Sequence, residues 1–566
     1  MDRLKRLSDN PVLHAVVLAV WPLFTCGRGL SVADTLYALG NYAYFGKLRG
    51  TWEIATFLAN LTGFALEKLP GGGTVLGMQI YTSLMVSCFL LILYLLLKDA
   101  FGKRRTFLGL FIADSFAWCP TVILYNWLSI ILLSVGTALL VKGVNEEEEK
   151  RAGKLLLISG VLFGLNVVVR MPNVIHALLI AVLIFDEKKR RIRDFLLCLG
   201  GWCAGYLIPI LMISLNYGFS SYTSMLGTYT TMRGGDAEDY KAGAMLADIL
   251  SSYADALIFL LPLFAVTAFT VLVSRRLFGR GKGGQRFCYV LGFGGVILWI
   301  RYAWGRGMFD FKYYHYNAVY LWGVIFVITA AALALYTLIA KGRGRLMKAW
   351  ALAILLTIAL TPIGSNNALY PVVDDLFLIG PFALTAGVNL VKERKTGHLK
   401  PAVTACLLSL TAMMLIQGSL FHLNFALQDG YWGEERDYFS SENKRAAGVS
   451  TTRENAGLID DLTALVREHG FAGREGIFYG NIPGLSYLLD IKSALSTIWP
   501  SLDTYTLPEW DRDMEHASRV SPVVFISVSP SEDEKYKSLM HFMEENKYGK
   551  IYEGHGVSVY AEESGR

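Results

Sequence analysis

Residues 76–97 read LGMQIYTSLMVSCFLLILYLLL and carry no charge. The run ends on Lys98-Asp-Ala-Phe-Gly-Lys103-Arg104-Arg105. An uncharged apolar stretch of this length crosses the hydrocarbon core as a helix. A basic cluster at its end marks the cytoplasmic side. Similar runs recur at about 11–28, 106–118, 121–141, 155–170, 173–185, 195–217, 256–274, 287–303, 317–340, 349–363, 372–391 and 401–421. Segments 106–118 and 121–141 meet at Trp118-Cys119-Pro120 and read as two spans or as one broken, re-entrant element. The 566-residue chain is 53% hydrophobic and 18% charged, whereas soluble domains carry about a quarter charged residues. Abundant aliphatic and aromatic residues exclude disorder. The fold class is therefore mainly α, a polytopic membrane protein of about thirteen transmembrane helices.

The formal net charge is +6, and its placement orients the chain. With the N-terminus in the cytoplasm, every inner segment is basic. Arg3, Lys5 and Arg6 open the chain, and Lys142, Lys150, Arg151 and Lys154 follow. Later inner segments carry Lys188 to Arg193, Arg275 to Arg286, Lys341 to Lys348 and Lys392 to Lys400. The outer segments are longer and poorer in Lys and Arg, as the positive-inside rule requires. Cys26-Gly-Arg-Gly29 follows the first run in place of a small-residue cleavage site, so that run reads as a retained span. The organisation is a transmembrane domain over 1–421 with long outer loops at 29–75 and 218–255, then an extracytoplasmic α/β domain over 422–566. The setting is a multi-pass protein of the cell (plasma) membrane. All seven cysteines lie in or beside spans, so no disulfide framework is expected.

The tail reads as strand and helix in alternation. Helices fall at 453–469, 483–489 and 532–546, with strands at 477–479, 522–527 and 557–561. Such alternation predicts a mostly parallel sheet.

Long outer loops are where a membrane enzyme acting on the outer face places its chemistry. In the first, Asp34, Tyr37, Asn41 and Tyr44 share one face of a predicted helix. Asp34 stands just beyond the first span, where a carboxylate is costly unless used or paired; the plain alternative is a helix N-cap or a solvated aspartate. Over 51–68, Ile54, Phe57, Leu58, Leu61 and Ala65 oppose Glu53, Asn60 and Glu67, the pattern of a helix lying in the interface. Arg170 ends the fifth run in Arg170-Met-Pro-Asn173; it either snorkels to the interface or clamps phosphate oxygens. The ninth and tenth runs are joined by Arg301-Tyr-Ala-Trp-Gly-Arg306-Gly-Met-Phe-Asp310-Phe-Lys312-Tyr-Tyr-His315. Cations among aromatic rings suit a phosphosugar head group or an interfacial belt. Asp236, Glu238 and Asp239 in the 218–255 loop could bind Mg²⁺ or Mn²⁺ or form a solvated loop. There is no phosphate-binding glycine loop, no HExxH and no GxSxG, and nothing points to nucleic acid.

Ala33-Asp34-Thr35, the Arg170-Met-Pro-Asn173 corner and the tail stretch Ile477-Phe-Tyr-Gly-Asn-Ile-Pro483-Gly-Leu-Ser-Tyr487 together resemble the GT-C superfamily of integral-membrane glycosyltransferases. Its members include protein O-mannosyltransferases, the oligosaccharyltransferase catalytic subunit and bacterial aminoarabinose transferases. The oligosaccharyltransferase signature WWDYG is missing, with Tyr431-Trp432-Gly433 in its stead, and the first loop has one Asp rather than an acidic pair. The resemblance implies an inverting transfer of a sugar from a polyprenyl-phosphate donor to an acceptor hydroxyl of a glycan, lipid or protein. Asp34 would be the general base, with Tyr37, Asn41, Glu53, Arg170, Arg301, Arg306, Asp310, Lys312 and His315 binding substrate. A divalent cation, Mg²⁺ or Mn²⁺, stays open as cofactor. The competing readings are a transporter or flippase of lipid-linked glycans and a glycan polymerase or ligase. An alkaline phosphatase fused after residue 566 is expected to be active, and a fluorescent protein at the same point dark; the reverse pattern would mean an even number of spans.

Overall fold

The computed structural model describes residues 9–48, 50–186, 191–234, 242–278, 282–309, 317–393, 399–430, 434–527 and 533–562. Each apolar run is helical. Helix α1 (Pro11–Val20) continues as a 3₁₀ turn, Trp21–Thr25. The first outer loop folds into α2 (Asp34–Ala43), α3 (Thr51–Ala55) and α4 (Phe57–Glu67). The bundle goes on with α5 (Val75–Phe101), α6 (Lys103–Phe116), α7 (Tyr125–Asn145), α8 (Glu149–Val169), a 3₁₀ helix Met171–Phe185, α9 (Arg191–Tyr217), α10 (Phe219–Gly234), α11 (Ala242–Phe278) and α12 (Lys282–Gly305). It closes with α13 (Asn317–Ile339), α14 (Arg345–Leu360), the short α15 (Tyr370–Asp374), α16 (Leu376–Glu393) and α17 (Leu399–Asn424). Among the described residues, nine helices are long and apolar enough to cross a membrane. The remaining runs form shorter helices. Met171–Phe185 has 15 residues, but a 3₁₀ helix rises about 2.0 Å per residue, so it reaches about 30 Å, the thickness of the hydrocarbon core.

The ambiguous pair of runs resolves into two helices. α6 stops at Phe116 and α7 starts at Tyr125, with non-helical backbone between them. Outer segment 218–255 departs from a loop: α10 occupies its first part and α11, 37 residues long, starts at Ala242. At about 1.5 Å per residue α11 outreaches the bilayer core and projects beyond it. Asp236, Glu238 and Asp239 lie outside the described residues.

Close helix packing depends on missing side chains. Gly160 and Gly164 of α8 face Gly201 and Gly205 of α9. A Cβ on any of them would overlap the backbone of the opposite helix, Cys198, Trp202, Leu157 or Val161 respectively. In a bilayer such small-residue seams supply the van der Waals contact that holds helices together. The seam fixes α8, and α8 ends at Arg170.

The tail is a small α/β domain. A two-residue pair, β1 (Tyr438–Phe439) and β2 (Ser450–Thr451), precedes α18 (Arg453–Glu468). Thr452 caps that helix by accepting from the Asn455 N–H, and Gly470, at φ +65°, ends it. Next come β3 (Glu475–Tyr479), α19 (Gly484–Leu488), β4 (Lys492–Ser493), α20 (Leu507–Val520), β5 (Val523–Ile526), α21 (Glu534–Glu545), β6 (Tyr548–Gly554) and β7 (Val557–Glu562). The sheet order is β4-β3-β5-β7-β6. β3 runs parallel to β4 and β5, but β5–β7 and β6–β7 are antiparallel. The sheet is thus mixed rather than mostly parallel. A tight hairpin decides this: His555 (φ +51°) and Gly556 (φ +70°) turn β6 directly into β7.

Backbone hydrogen bonds lock the tail to the membrane domain. Gly29 N–H donates to Ser450 O (2.9 Å), Ser450 N–H to Gly27 O (2.9 Å), Val75 N–H to Arg445 O (2.9 Å) and Gly484 N–H to Val32 O (2.6 Å). Gly201→Leu is expected to lower stability by about 1–3 kcal/mol or more through overpacking of the seam, read as a lower midpoint of thermal unfolding in detergent.

Candidate functional site

α2 carries the outer loop's polar face, and tertiary packing turns that face inward. Leu36 and Leu39 bury the opposite side. Gly40 lies against Ile498 of the tail, where a Cβ would overlap the isoleucine side chain. The N-cap is Ala33, without a side-chain cap, so Asp34 does not serve as the helix cap. Its carboxylate instead accepts a hydrogen bond from the Gln428 side chain. Among the described residues Asp34 makes no ion pair. Burial pushes its carboxyl above the usual range, opposed by the Gln428 hydrogen bond.

Asp34, Tyr37 and Asn41 line one cavity of about 1180 Å³, counted out to its open mouth. The Tyr37 hydroxyl hydrogen-bonds Asn41 and Thr497, and burial raises it to about 12. The tail closes the cavity. Trp499 meets the Tyr37 ring edge to face at 5.4 Å, and Leu502 and Thr504 complete the roof. The floor is the non-helical stretch after α6 and the start of α7, with Trp118, Pro120, Leu124, Tyr125 and Asn126. Tyr44, expected on the same face, is not there: α2 stops at Ala43 and the Tyr44 hydroxyl turns to Ser486 O and Asp490 Oδ1, both at 3.4 Å.

Arg170 lines a second cavity of about 540 Å³. Trp118, Tyr125, Asn126 and Asn367 belong to the walls of both cavities, so the two adjoin. Pro172 has no N–H to continue the ladder of α8, and in a continued α-helix its ring would clash with the carbonyl four residues back, so the run ends ahead of it; Arg170 is extended at φ −157°, ψ 119°, and Pro172 sits in the first turn of the 3₁₀ helix that follows. The corner is fixed from two sides. Asn173 donates to Ser129 Oγ (2.7 Å) and Asn166 Oδ1 (3.0 Å), and Arg170 Nη2 donates to Gly364 O (3.0 Å). The guanidinium keeps further N–H groups for the cavity. Asp374 and Asp375 share this cavity. Asp374 accepts from the Trp118 N–H (2.7 Å) and Asp375 from the Thr361 hydroxyl (2.7 Å).

Other expected site residues lie elsewhere. Glu53 is buried at 4% exposure and borders neither cavity. It accepts from the Tyr217 hydroxyl (2.9 Å) and the Gly46 N–H, joining the first loop to the end of α9. Asn60 is also buried and donates to Glu53 O (3.1 Å), but unlike Glu53 it lines the Asp34 cavity. The face expected toward water is thus internal, and the segment breaks at Thr56 into α3 and α4 rather than lying as one interfacial helix. Arg301 and Arg306 are exposed at the end of α12; Arg306 stands 5.5 Å over the Tyr302 ring, and neither borders the cavities. Asp310, Lys312 and His315 lie outside the described residues.

The chamber also holds residues that periodicity does not single out: Gln428, Asn126, Trp499 and Thr504. Gln428 has one local signal only visible in three dimensions, a left-handed backbone at φ +51°. Next to it Asp429 is fully buried and accepts from Thr451 (2.6 Å) and Asn455 (2.8 Å), which anchors the turn. Among the described residues Asp34 is the one carboxylate on its cavity, and no three His, Cys, Asp or Glu groups converge.

An apolar helical bundle with a chamber roofed by an α/β domain defines the class, a polytopic membrane protein. Residues 65–213 match the family described as dolichyl-phosphate-mannose-protein mannosyltransferase. The matched stretch contains Arg170 and begins after Asp34. The structure is similar to an oligosaccharyltransferase from Archaeoglobus fulgidus solved with Zn and sulfate, at 12% identity and a TM-score of 0.50, covering 98% of this chain and 73% of that one. It is also similar to ArnT from Cupriavidus metallidurans, at 12% identity and a TM-score of 0.44, over 97% of each chain. No curated protein sequence matches this chain. The fold is that of the GT-C membrane glycosyltransferases. Glu53→Ala is expected to lower stability by about 1–3 kcal/mol, because it strands the Tyr217 hydroxyl and the Gly46 N–H; the unfolding midpoint of the purified chain checks it.

Proposed function

We propose that this chain is a membrane glycosyltransferase that moves a sugar from a polyprenyl-phosphate donor to an acceptor hydroxyl at the outer face of the membrane. The observation that carries the reading is the adjacency of the two cavities, one holding Asp34 and the other Arg170, across a shared wall of Trp118, Tyr125, Asn126 and Asn367. A lipid phosphate in the Arg170 cavity places its sugar toward the Asp34 cavity. The guanidinium matches phosphate oxygens in bidentate fashion.

In the transfer step the acceptor O–H gives its proton to the Asp34 carboxylate. The acceptor oxygen forms a bond to the anomeric carbon. The bond from that carbon to the phosphate oxygen breaks, and its electron pair leaves with the lipid phosphate. One displacement of this kind inverts the anomeric centre. The leaving group is a phosphate and needs no acid to protonate it; Arg170 steadies its charge. Burial makes Asp34 a stronger base than a solvated aspartate. Gln428 acts as a positioning residue, since its hydrogen bond favours the ionised carboxylate against the effect of burial.

The acceptor's class, a glycan, a lipid or a protein hydroxyl, is set by what enters beneath the tail. The test is transfer measured with purified protein in nanodiscs. Asp34→Asn is expected to lower turnover by roughly 10²–10⁴-fold, the worth of general-base help, while donor binding persists. Normal turnover in the Asn variant would falsify the assignment. Arg170→Ala is expected to raise the donor KM. The sign of the pH dependence follows from the raised carboxyl. Activity requires the ionised form, so the rate falls as pH drops through a value above the ordinary carboxylate pKa of about 4. Gln428→Leu removes the hydrogen bond to the ionised form and moves that acid limb to still higher pH. An acid limb that stays put in the Leu variant counts against the positioning role.

A further inference from the structure

The Asp34 cavity has a particular chemistry. Among the described residues its only charged side chain is Asp34; the wall holds no Lys, Arg or His. Its polar groups are neutral amides and hydroxyls, with Asn41, Asn60, Asn126, Asn367, Gln428 and Thr504 the principal ones. Its wall carries aromatic rings, with Trp118 and Tyr125 at the floor, Tyr37 on α2 and Trp499 at the roof. Amides and hydroxyls both donate and accept, which suits the paired donor and acceptor character of sugar hydroxyls. Ring faces suit the C–H surface of a pyranose. A charged substituent would find no opposite charge here except the base itself. Burying an unpaired charge is costly. The charged side chains of the chamber, Arg170, Asp374 and Asp375, line the adjoining cavity, and both carboxyls there already hold hydrogen bonds from Trp118 and Thr361.

We infer that the Asp34 cavity is a subsite for a neutral polyhydroxy sugar, so that the transferred group is an uncharged hexose or pentose, neither an amino sugar nor a uronic acid. The inference rests on the proposed glycosyltransferase reading and narrows its substrate class. Asn41 is a specificity-determining position: a carboxylate there would supply the partner an ammonium-bearing sugar lacks.

The experiment uses the full-length chain in lipid nanodiscs and four probes: undecaprenyl phosphate alone, and its esters with glucose, 4-amino-4-deoxyarabinose and glucuronic acid. Binding is read by competition against a fluorescent polyprenyl phosphate. The glucose ester is expected to bind at least about tenfold more tightly than either charged ester and than the bare phosphate. Asn41→Asp is expected to shift the ratio toward the amino sugar by a similar factor, with undecaprenyl phosphate binding unchanged. Equal or tighter binding of a charged ester overturns the neutral subsite and leaves the transferase reading standing. The same holds if no sugar improves on bare phosphate. Failure of all four lipids to bind overturns the transferase reading and this inference with it.

Discussion

The geometry of the chamber depends on how α2 is enclosed. This ten-residue helix is too short to be stable alone in water. It persists because it is gripped from both sides. Below, Tyr42 reaches Ile123 O across the bundle; above, Gly484 comes close enough to donate to Val32 O, and a Cβ at that glycine would strike Leu36 and the Val32 carbonyl. The grip sets the direction of Asp34. It also removes water from around the carboxylate, which raises its basicity. Placement and chemistry thus have one cause.

The second fixed point is Arg170, and its support is entirely different. Among the described residues, none from the tail lines its cavity. The position descends from the glycine seam between α8 and α9, through the rigid rod of α8, to a corner that Pro172 enforces and Asn173 ties down. A cation is therefore carried by the membrane bundle and a carboxylate by a helix clamped under the outer domain. The non-helical stretch after α6 lies between them. Because it is not a helix, Trp118 and Pro120 can face the chamber, and the Trp118 N–H donates to Asp374 rather than to a helical carbonyl. Irregular backbone at such depth is tolerated where it lines a cavity rather than lipid.

This arrangement separates charge from neutral polarity. The Arg170 cavity contains cationic and acidic groups; the Asp34 cavity contains one acid among amides, hydroxyls and rings. In a low dielectric such a division discriminates strongly, since each unpaired charge is penalised by its desolvation.

Much of the architecture was legible in the chain itself. Helical runs, the α/β character of the tail and the shared face of Asp34, Tyr37 and Asn41 follow from hydrophobic length and from the 3.6- and 2-residue periods, which are local properties. The proline-marked corner at Arg170 was equally local. What the sequence could not convey is which side of a segment becomes interior when a second domain covers it. Glu53 and Asn60 look like a wet face by spacing, yet Glu53 is buried as a strut against Tyr217 at the end of α9, and Asn60 is buried beside it with its side chain on the chamber wall. Trp499, Thr504 and Gln428 join Asp34 from more than 390 positions away, a distance no periodicity reports. Tyr44 leaves the face it shares by spacing because its helix ends one residue earlier. Local patterning determined the helices, and long-range burial alone decided which of their polar residues would meet.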